Sequence, residues 1–165
     1  MKKNIILLVL ISIIPFSSCK KEKKIDFAKE KAKIETVLEQ YNLANENQDF
    51  ELIKSIWAND ESIVCIGTDT YEKLVGWKQI KPVIQSQYKS FKETYISVND
   101  QIININKTGN TAWFSEILEY NFIYKGVHKS FEGIRYTGVL TKTNDKWLLV
   151  QTHMSIPKKS SLEEN

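Results

Sequence analysis

TAWFSEILEYNFIY at residues 111–124, VHKSFEGIRYTGVLTKT at 127–143 and KWLLVQTHMSI at 146–156 are dense in β-branched and aromatic residues. Their apolar positions recur mostly every second residue, the period of a strand with one face buried. The joints are Lys125-Gly126 and Asn144-Asp145, two-residue turn signals of the kind that connect adjacent antiparallel strands. The same period covers Thr94–Asn106, and Lys107-Thr108-Gly109-Asn110 turns that run back onto Thr111. The expectation is an antiparallel meander of four long strands, which twist alone tends to curl.

Working upstream, the period changes to three and four. Phe27, Ile34, Val37, Leu38, Tyr41 and Ala44 mark one face of a helix over 26–47. Asp49 reads as the N-cap of a short second helix carrying Leu52, Ile53, Ile56 and Trp57. Ser62–Gly67 reads as a buried strand and Thr68–Val75 as polar and irregular. Gly76 opens a third helix to about Phe91, which Pro82 either delays or kinks. Helices first and a meander after them is an α+β pattern. Three N-terminal helices on one face of a curved antiparallel sheet enclose a cone with an internal cavity. The domain is expected over 26–157, followed by a polar tail at 158–165.

The first 18 residues are set apart from this fold. Lys2 and Lys3 precede the apolar run IILLVLISIIPF, too short to span a bilayer and fitting a signal peptide. Ser17, Ser18 and Cys19 follow at once and resemble the lipobox of bacterial lipoproteins. That resemblance implies cleavage before Cys19, lipidation of its thiol, and a basic tether over 19–25. The protein is then exported and lipid-anchored to a bacterial membrane, on the periplasmic side or at the cell surface. The formal net charge of +3 resides in the leader and tether, because from Ile25 onward 17 basic residues face 19 acidic ones. A near-neutral domain is not a nucleic-acid binder. No metal site or cofactor is expected: His128, His153 and Cys65 lack ligand spacing, and neither a phosphate loop nor a nucleophile elbow is present. Cys65 reads as a buried, inert thiol.

Gly76-Trp77, Thr111-Ala112-Trp113, Gly133-Ile134-Arg135-Tyr136-Thr137 and the run Trp147–Ser155 occur in an order that resembles the SnoaL-like branch of the nuclear transport factor 2-like superfamily. The resemblance covers about residues 27–157. It implies a cone-shaped α+β fold of the cystatin-like roll type, commonly a homodimer through the sheet. It also implies a small-molecule pocket without fixing one chemistry, since members include cyclases, isomerases, hydrolases, dehydratases and noncatalytic modules.

Turn lengths give a register. With Tyr124 opposite Val127 and Thr143 opposite Lys146, counting outward puts Ser115, Tyr136 and His153 in one row and Trp113, Gly138 and Gln151 in the next. That face is the expected pocket wall, an aromatic surface with a few convergent polar groups. The same register opposes Glu119 to Glu132, a like-charge conflict, and pairs Glu116 with Arg135 on the other face as an ion pair. An enzymatic reading uses His153 and Tyr136 with Asp60 or Glu119 as acid or base. The alternative is a satisfied His153–Tyr136 hydrogen bond that only shapes the sheet, and Asp60 as a turn cap. Tyr41, Trp57, Trp77, Trp113, Ser115 and Gln151 are candidate ligand contacts, although the tryptophans serve equally as core. The leading expectation is capture of a small, largely apolar molecule in the cone. The alternatives are an isomerase, cyclase or dehydratase moving a proton on a carbonyl compound, and a noncatalytic protein-interaction module.

Overall fold

A computed structural model of the chain describes residues 24–158. The leader, Cys19, most of the tether and the tail beyond Lys158 lie outside them. Helix α1 spans Phe27–Asn47, with the Asp26 carboxylate accepting from the Lys29 N–H at 3.1 Å. Gln48 takes a left-handed conformation and stops it. Asp49 caps α2, Phe50–Ile56, through the Leu52 N–H at 2.9 Å. Helix α3 covers Trp77–Ser90. Pro82 lies inside α3 on its exposed side, where the Lys78 carbonyl it leaves free can meet water.

Strands β1 (Val64–Ile66), β2 (Lys73–Val75), β3 (Phe91–Ile105), β4 (Thr111–Tyr124), β5 (Val127–Thr143) and β6 (Lys146–Ser155) form one sheet in the order β2-β1-β6-β5-β4-β3. The four-strand meander is as expected, but the sheet is mixed. β1 runs parallel to β6, Cys65 beside Thr152, and Lys73–Val75, read as irregular, pairs antiparallel with β1. β1 falls within Ser62–Gly67, read as a strand, whereas no local pattern marks β2, which exists because β1, itself laid along β6, offers an edge to extend. The core lies between helices and sheet, where Ile34, Leu38, Ile53 and Ile80 meet Leu118, Tyr136, Leu140 and Leu149.

Both two-residue turns form as expected. Lys125-Gly126 and Asn144-Asp145 have positive φ throughout, and Tyr124 opposes Val127 and Thr143 opposes Lys146. The register then slips twice. Tyr120 pairs with Phe131, but Leu118 pairs with Ile134, so Glu119 stands opposite a bulge formed by Glu132 and Gly133. Gly133 takes φ +69 there. This bulge relieves the opposition of Glu119 and Glu132. A second slip lets Leu149 face Leu140 and Gln151 face Val139, with Val150 as the extra residue. Two more bulges interrupt β3. Each adds local twist and bend, and together they curl the sheet around the helices.

A one-residue slip turns every later side chain to the opposite face. The rows read from the sequence are therefore corrected. Ser115, Thr137 and His153 share a row on the outer face, while Glu116, Tyr136 and Met154 share one on the inner face. Arg135 is exposed opposite Ile117, so the expected Glu116–Arg135 pair does not form.

Candidate functional site

The inward-facing run of β4 is Ala112, Phe114, Glu116, Leu118, Tyr120 and Phe122, all buried, with one charge among them. Glu116 is 2% exposed. Gln101 on β3 donates an amide N–H to the Glu116 Oε2 at 2.7 Å, and among the described residues the Glu116 Oε1 has no hydrogen-bond partner. Tyr136 is the cross-strand neighbour of Glu116 on β5, 0% exposed, and its hydroxyl also lacks a hydrogen-bond partner among the described residues. Tyr41 reaches in from α1 and stacks on the Tyr136 ring at 5.2 Å between centroids, while Phe114 meets that ring edge-on at 5.0 Å. Thr152 and Cys65, side by side on β6 and β1, pack on the same inner face.

Burial sets the electrostatics. It pushes the Glu116 carboxyl above the ordinary carboxylate range, and the hydrogen bond from Gln101 only partly opposes this. It pushes the Tyr136 hydroxyl well up, helped by Tyr41 and Glu116, so the phenol is a neutral donor. Burial likewise raises the Tyr41 hydroxyl and the Cys65 thiol, which keeps that thiol protonated and a weak nucleophile. The arrangement combines an apolar, aromatic surround with a protonatable carboxyl and a phenol, a set able to hold or polarise one oxygen-bearing group.

Of the residues singled out from the sequence, only Tyr41 and Tyr136 meet in the cone. His153 is exposed on the outer face, opposite Thr137, and cannot reach the Tyr136 hydroxyl through the sheet. Ser115, Gln151 and Trp113 share that outer face. Glu119 is exposed and accepts from the Ser97 hydroxyl at 3.2 Å. Asp60 is exposed and holds a turn, accepting from the Ser62 N–H at 2.7 Å and hydroxyl at 2.6 Å, which lowers its pKa. It shares a shallow cleft at the start of α3 with half-buried Trp77, whose ring stacks with Phe50. Trp57 is buried core, bridged to Leu149. Glu116 and Gln101 were missed. The available signal was the placement of Glu116 in strict alternation with Phe114, Leu118, Tyr120 and Phe122, which marks a charge on a buried stripe.

Known structures share this architecture. A nuclear transport factor 2-like superfamily protein from Salmonella enterica serovar Typhimurium LT2 superposes with a TM-score of 0.74 at 20% identity, covering 84% of this chain and 99% of that one. A protein named as a candidate dehydratase of the same family, from Streptomyces avermitilis, gives 0.71 at 16% identity, covering 80% and 99%. One named as a candidate scytalone dehydratase, from Novosphingobium aromaticivorans DSM 12444, gives 0.71 at 12% identity, covering 80% and 87%. At these identities the likeness shows the fold alone. No curated protein matches this chain. The family model described as the SnoaL-like domain matches residues 34–159, from within α1 through the whole sheet and every residue of the inner cluster, and the chain therefore belongs to the SnoaL-like domain family.

Proposed function

We propose that this chain captures a small, largely apolar molecule inside the cone, with one polar group of that molecule set between Glu116 and Tyr136. The observation that carries the reading is the pair of unpartnered polar atoms, Glu116 Oε1 and the Tyr136 hydroxyl, on adjacent inward positions of an otherwise apolar wall. A buried polar atom without a partner costs about 1–3 kcal/mol. A hydroxyl or carbonyl delivered by a ligand recovers that cost. SnoaL-like folds commonly bind small molecules or act as isomerases and dehydratases, in keeping with this reading.

A second reading, proton transfer on a carbonyl compound, is favoured by the raised pKa of the buried Glu116 carboxyl beside the Tyr136 phenol. In it the carboxyl of Glu116 takes the acid–base role read from the sequence for His153, and Tyr136 donates to the developing oxyanion. The names of the two dehydratase-like neighbours are consistent with that chemistry.

The domain would work from an N-terminal lipid on Cys19 as an exported lipoprotein. Its outer sheet face, where Ile102 is 58% and Trp113 47% exposed, would receive a second copy. Cys19→Ser is expected to move the protein from the membrane fraction to the soluble one; retention in the membrane would defeat the anchor.

Native mass spectrometry of residues 25–165, purified under mild conditions, tests the pocket and the dimer together. The expected spectrum shows a dimer, with a small-molecule adduct on wild type that is absent from Glu116→Leu. An empty wild type that also leaves N-phenyl-1-naphthylamine fluorescence unchanged would end the capture reading. Glu116→Leu should fold at least as well as wild type, because it removes a buried polar atom that lacks a partner. Its stability should also differ in pH dependence. Glu116 has a raised folded pKa, so its contribution is greatest below the unfolded carboxylate value and declines as pH rises through the folded midpoint. That decline should vanish in Glu116→Leu.

A further inference from the structure

The β3 bulge beside the cluster has a use that the fold alone does not require. Asn99 pairs with Ile117 and Ile102 with Ser115, so both Asp100 and Gln101 stand opposite Glu116. Without the bulge Gln101 would lie opposite Ser115, on the outer face. Asp100 takes φ +50 to make the bulge, a left-handed conformation uncommon outside glycine but tolerated by Asp. The result is that Gln101 turns to donate its amide N–H to the buried Glu116 Oε2 at 2.7 Å. β3 is an edge of the sheet, and Gln101 is exposed, although the carboxylate it holds is 2% exposed.

We infer that Gln101 is the positioning residue of the cone: its amide fixes the Glu116 carboxylate with Oε1 free for the bound molecule, and its side chain screens that carboxylate from solvent at the β3 edge. Bulges next to functional sites commonly re-aim a side chain in this way. The inference rests on Glu116 being the polar group of the pocket. The titratable groups near it are Asp100, exposed beside Gln101 on β3, and the Tyr136 phenol from β5, with Tyr41 from α1 and Cys65 from β1 acting on Tyr136 in turn. Burial keeps the two phenols and the thiol neutral. Among the described residues no cation forms a salt bridge with Glu116. Among the described residues, Gln101 alone donates a hydrogen bond to its carboxylate.

The test needs no ligand, so a failure of molecular capture leaves its result readable. Protein carrying 13C-labelled glutamate side chains is titrated by NMR, with Glu116→Gln identifying the Glu116 resonance. In Gln101→Ala the Glu116 midpoint is expected to rise, since the ionised form loses its donor. In Gln101→Lys it is expected to fall below wild type, since an ammonium replaces the amide. Ser97→Ala removes a different side-chain hydrogen bond from β3 to a carboxylate, that of Glu119, and should leave Glu116 unmoved. A purely structural role for Gln101 does not produce that change of sign. A soluble gadolinium chelate should broaden the Glu116 resonance in Gln101→Ala but not in wild type. Equal midpoints in wild type, Gln101→Ala and Gln101→Lys would overturn the positioning role. If the alanine variant does not fold, an unmoved midpoint in Gln101→Lys does so alone. Broadening already present in wild type would overturn the screen.

Discussion

Gly138→Ala should cost about 2–3 kcal/mol of unfolding free energy, and Gly138→Val should leave little folded protein. Gly138 sits on β5 between Phe114 and Thr152. A Cβ there would lie 2.6 Å from the Gln151 carbonyl oxygen and 2.6 Å from the Phe114 ring. The ring can shift, but the carbonyl is backbone and belongs to the strand segment beyond the β6 bulge. Relieving the contact means opening the β5–β6 ladder or moving β6 away from β1, which depends on it. Glycine in a strand interior often marks such an approach of one backbone to another. Gly126→Ala is the control. Nothing lies within 4 Å of a Cβ at Gly126, but φ is +74, so only left-handed strain of about 1 kcal/mol is expected. Urea denaturation followed by tryptophan fluorescence compares the two. A loss below 0.5 kcal/mol in Gly138→Ala would show that β6 yields easily.

Glu30→Ala should cost about 2–4 kcal/mol, because three donors lose one buried acceptor. Glu30 Oε2 accepts from Trp147 Nε1 at 2.8 Å and from Lys142 Nζ at 2.8 Å, and Oε1 from Lys33 Nζ at 3.1 Å. Asp145, in the β5–β6 turn, binds the same two lysines at 2.9 and 3.2 Å. The network ties α1 to the tip of that hairpin and holds the Trp147 indole against the core. Glu30→Gln can still accept from the indole and should lose less, about 1–2 kcal/mol. Burial by itself would raise the Glu30 pKa, but Lys142, Trp147 and Lys33 together outweigh it and the pKa is lowered. Asp145 is lowered to about 2, mainly by Lys142 and then Lys33. Both are depressed carboxylates, so their contribution is present above the unfolded carboxylate pKa and lost as pH falls through the folded values. Acid unfolding of wild type should therefore steepen as pH drops from about 4 toward about 2. Glu30→Ala should flatten that profile, and a variant with an unchanged acid limb would remove the network from the account of stability.

The helices and hairpins were legible because their causes are local. Asp26 and Asp49 cap within three residues, Lys125-Gly126 and Asn144-Asp145 favour positive φ, and period-two patterning needs only the strand itself. β1 was legible as a strand within Ser62–Gly67 but its parallel seat on β6 was not, and β2 was not legible at all, since three residues carry too little pattern. Of the candidate site residues, Tyr41 and Tyr136 face inward, whereas His153, Ser115, Trp113 and Gln151 face outward. The Glu119–Glu132 conflict marked a weak point in the register, but from sequence a longer turn, a place near the sheet end or a protonated carboxyl accounts for it, and the bulge came only from the structure.

Composition, periodicity and turn chemistry by themselves determined that this is an α+β chain of three helices and a long meander; the resemblance to its family lay in Gly76-Trp77, Thr111-Ala112-Trp113, the run from Gly133 to Thr137 and the run from Trp147 to Ser155. Only the tertiary structure decided which face of the sheet is the inside. Each bulge inverts every side chain beyond it, and its position is set by what can pack across the sheet: two carboxylates that cannot oppose, a glycine that admits a carbonyl, and an edge glutamine turned onto a buried acid. Those are contacts between residues far apart in sequence, and no local pattern encodes them.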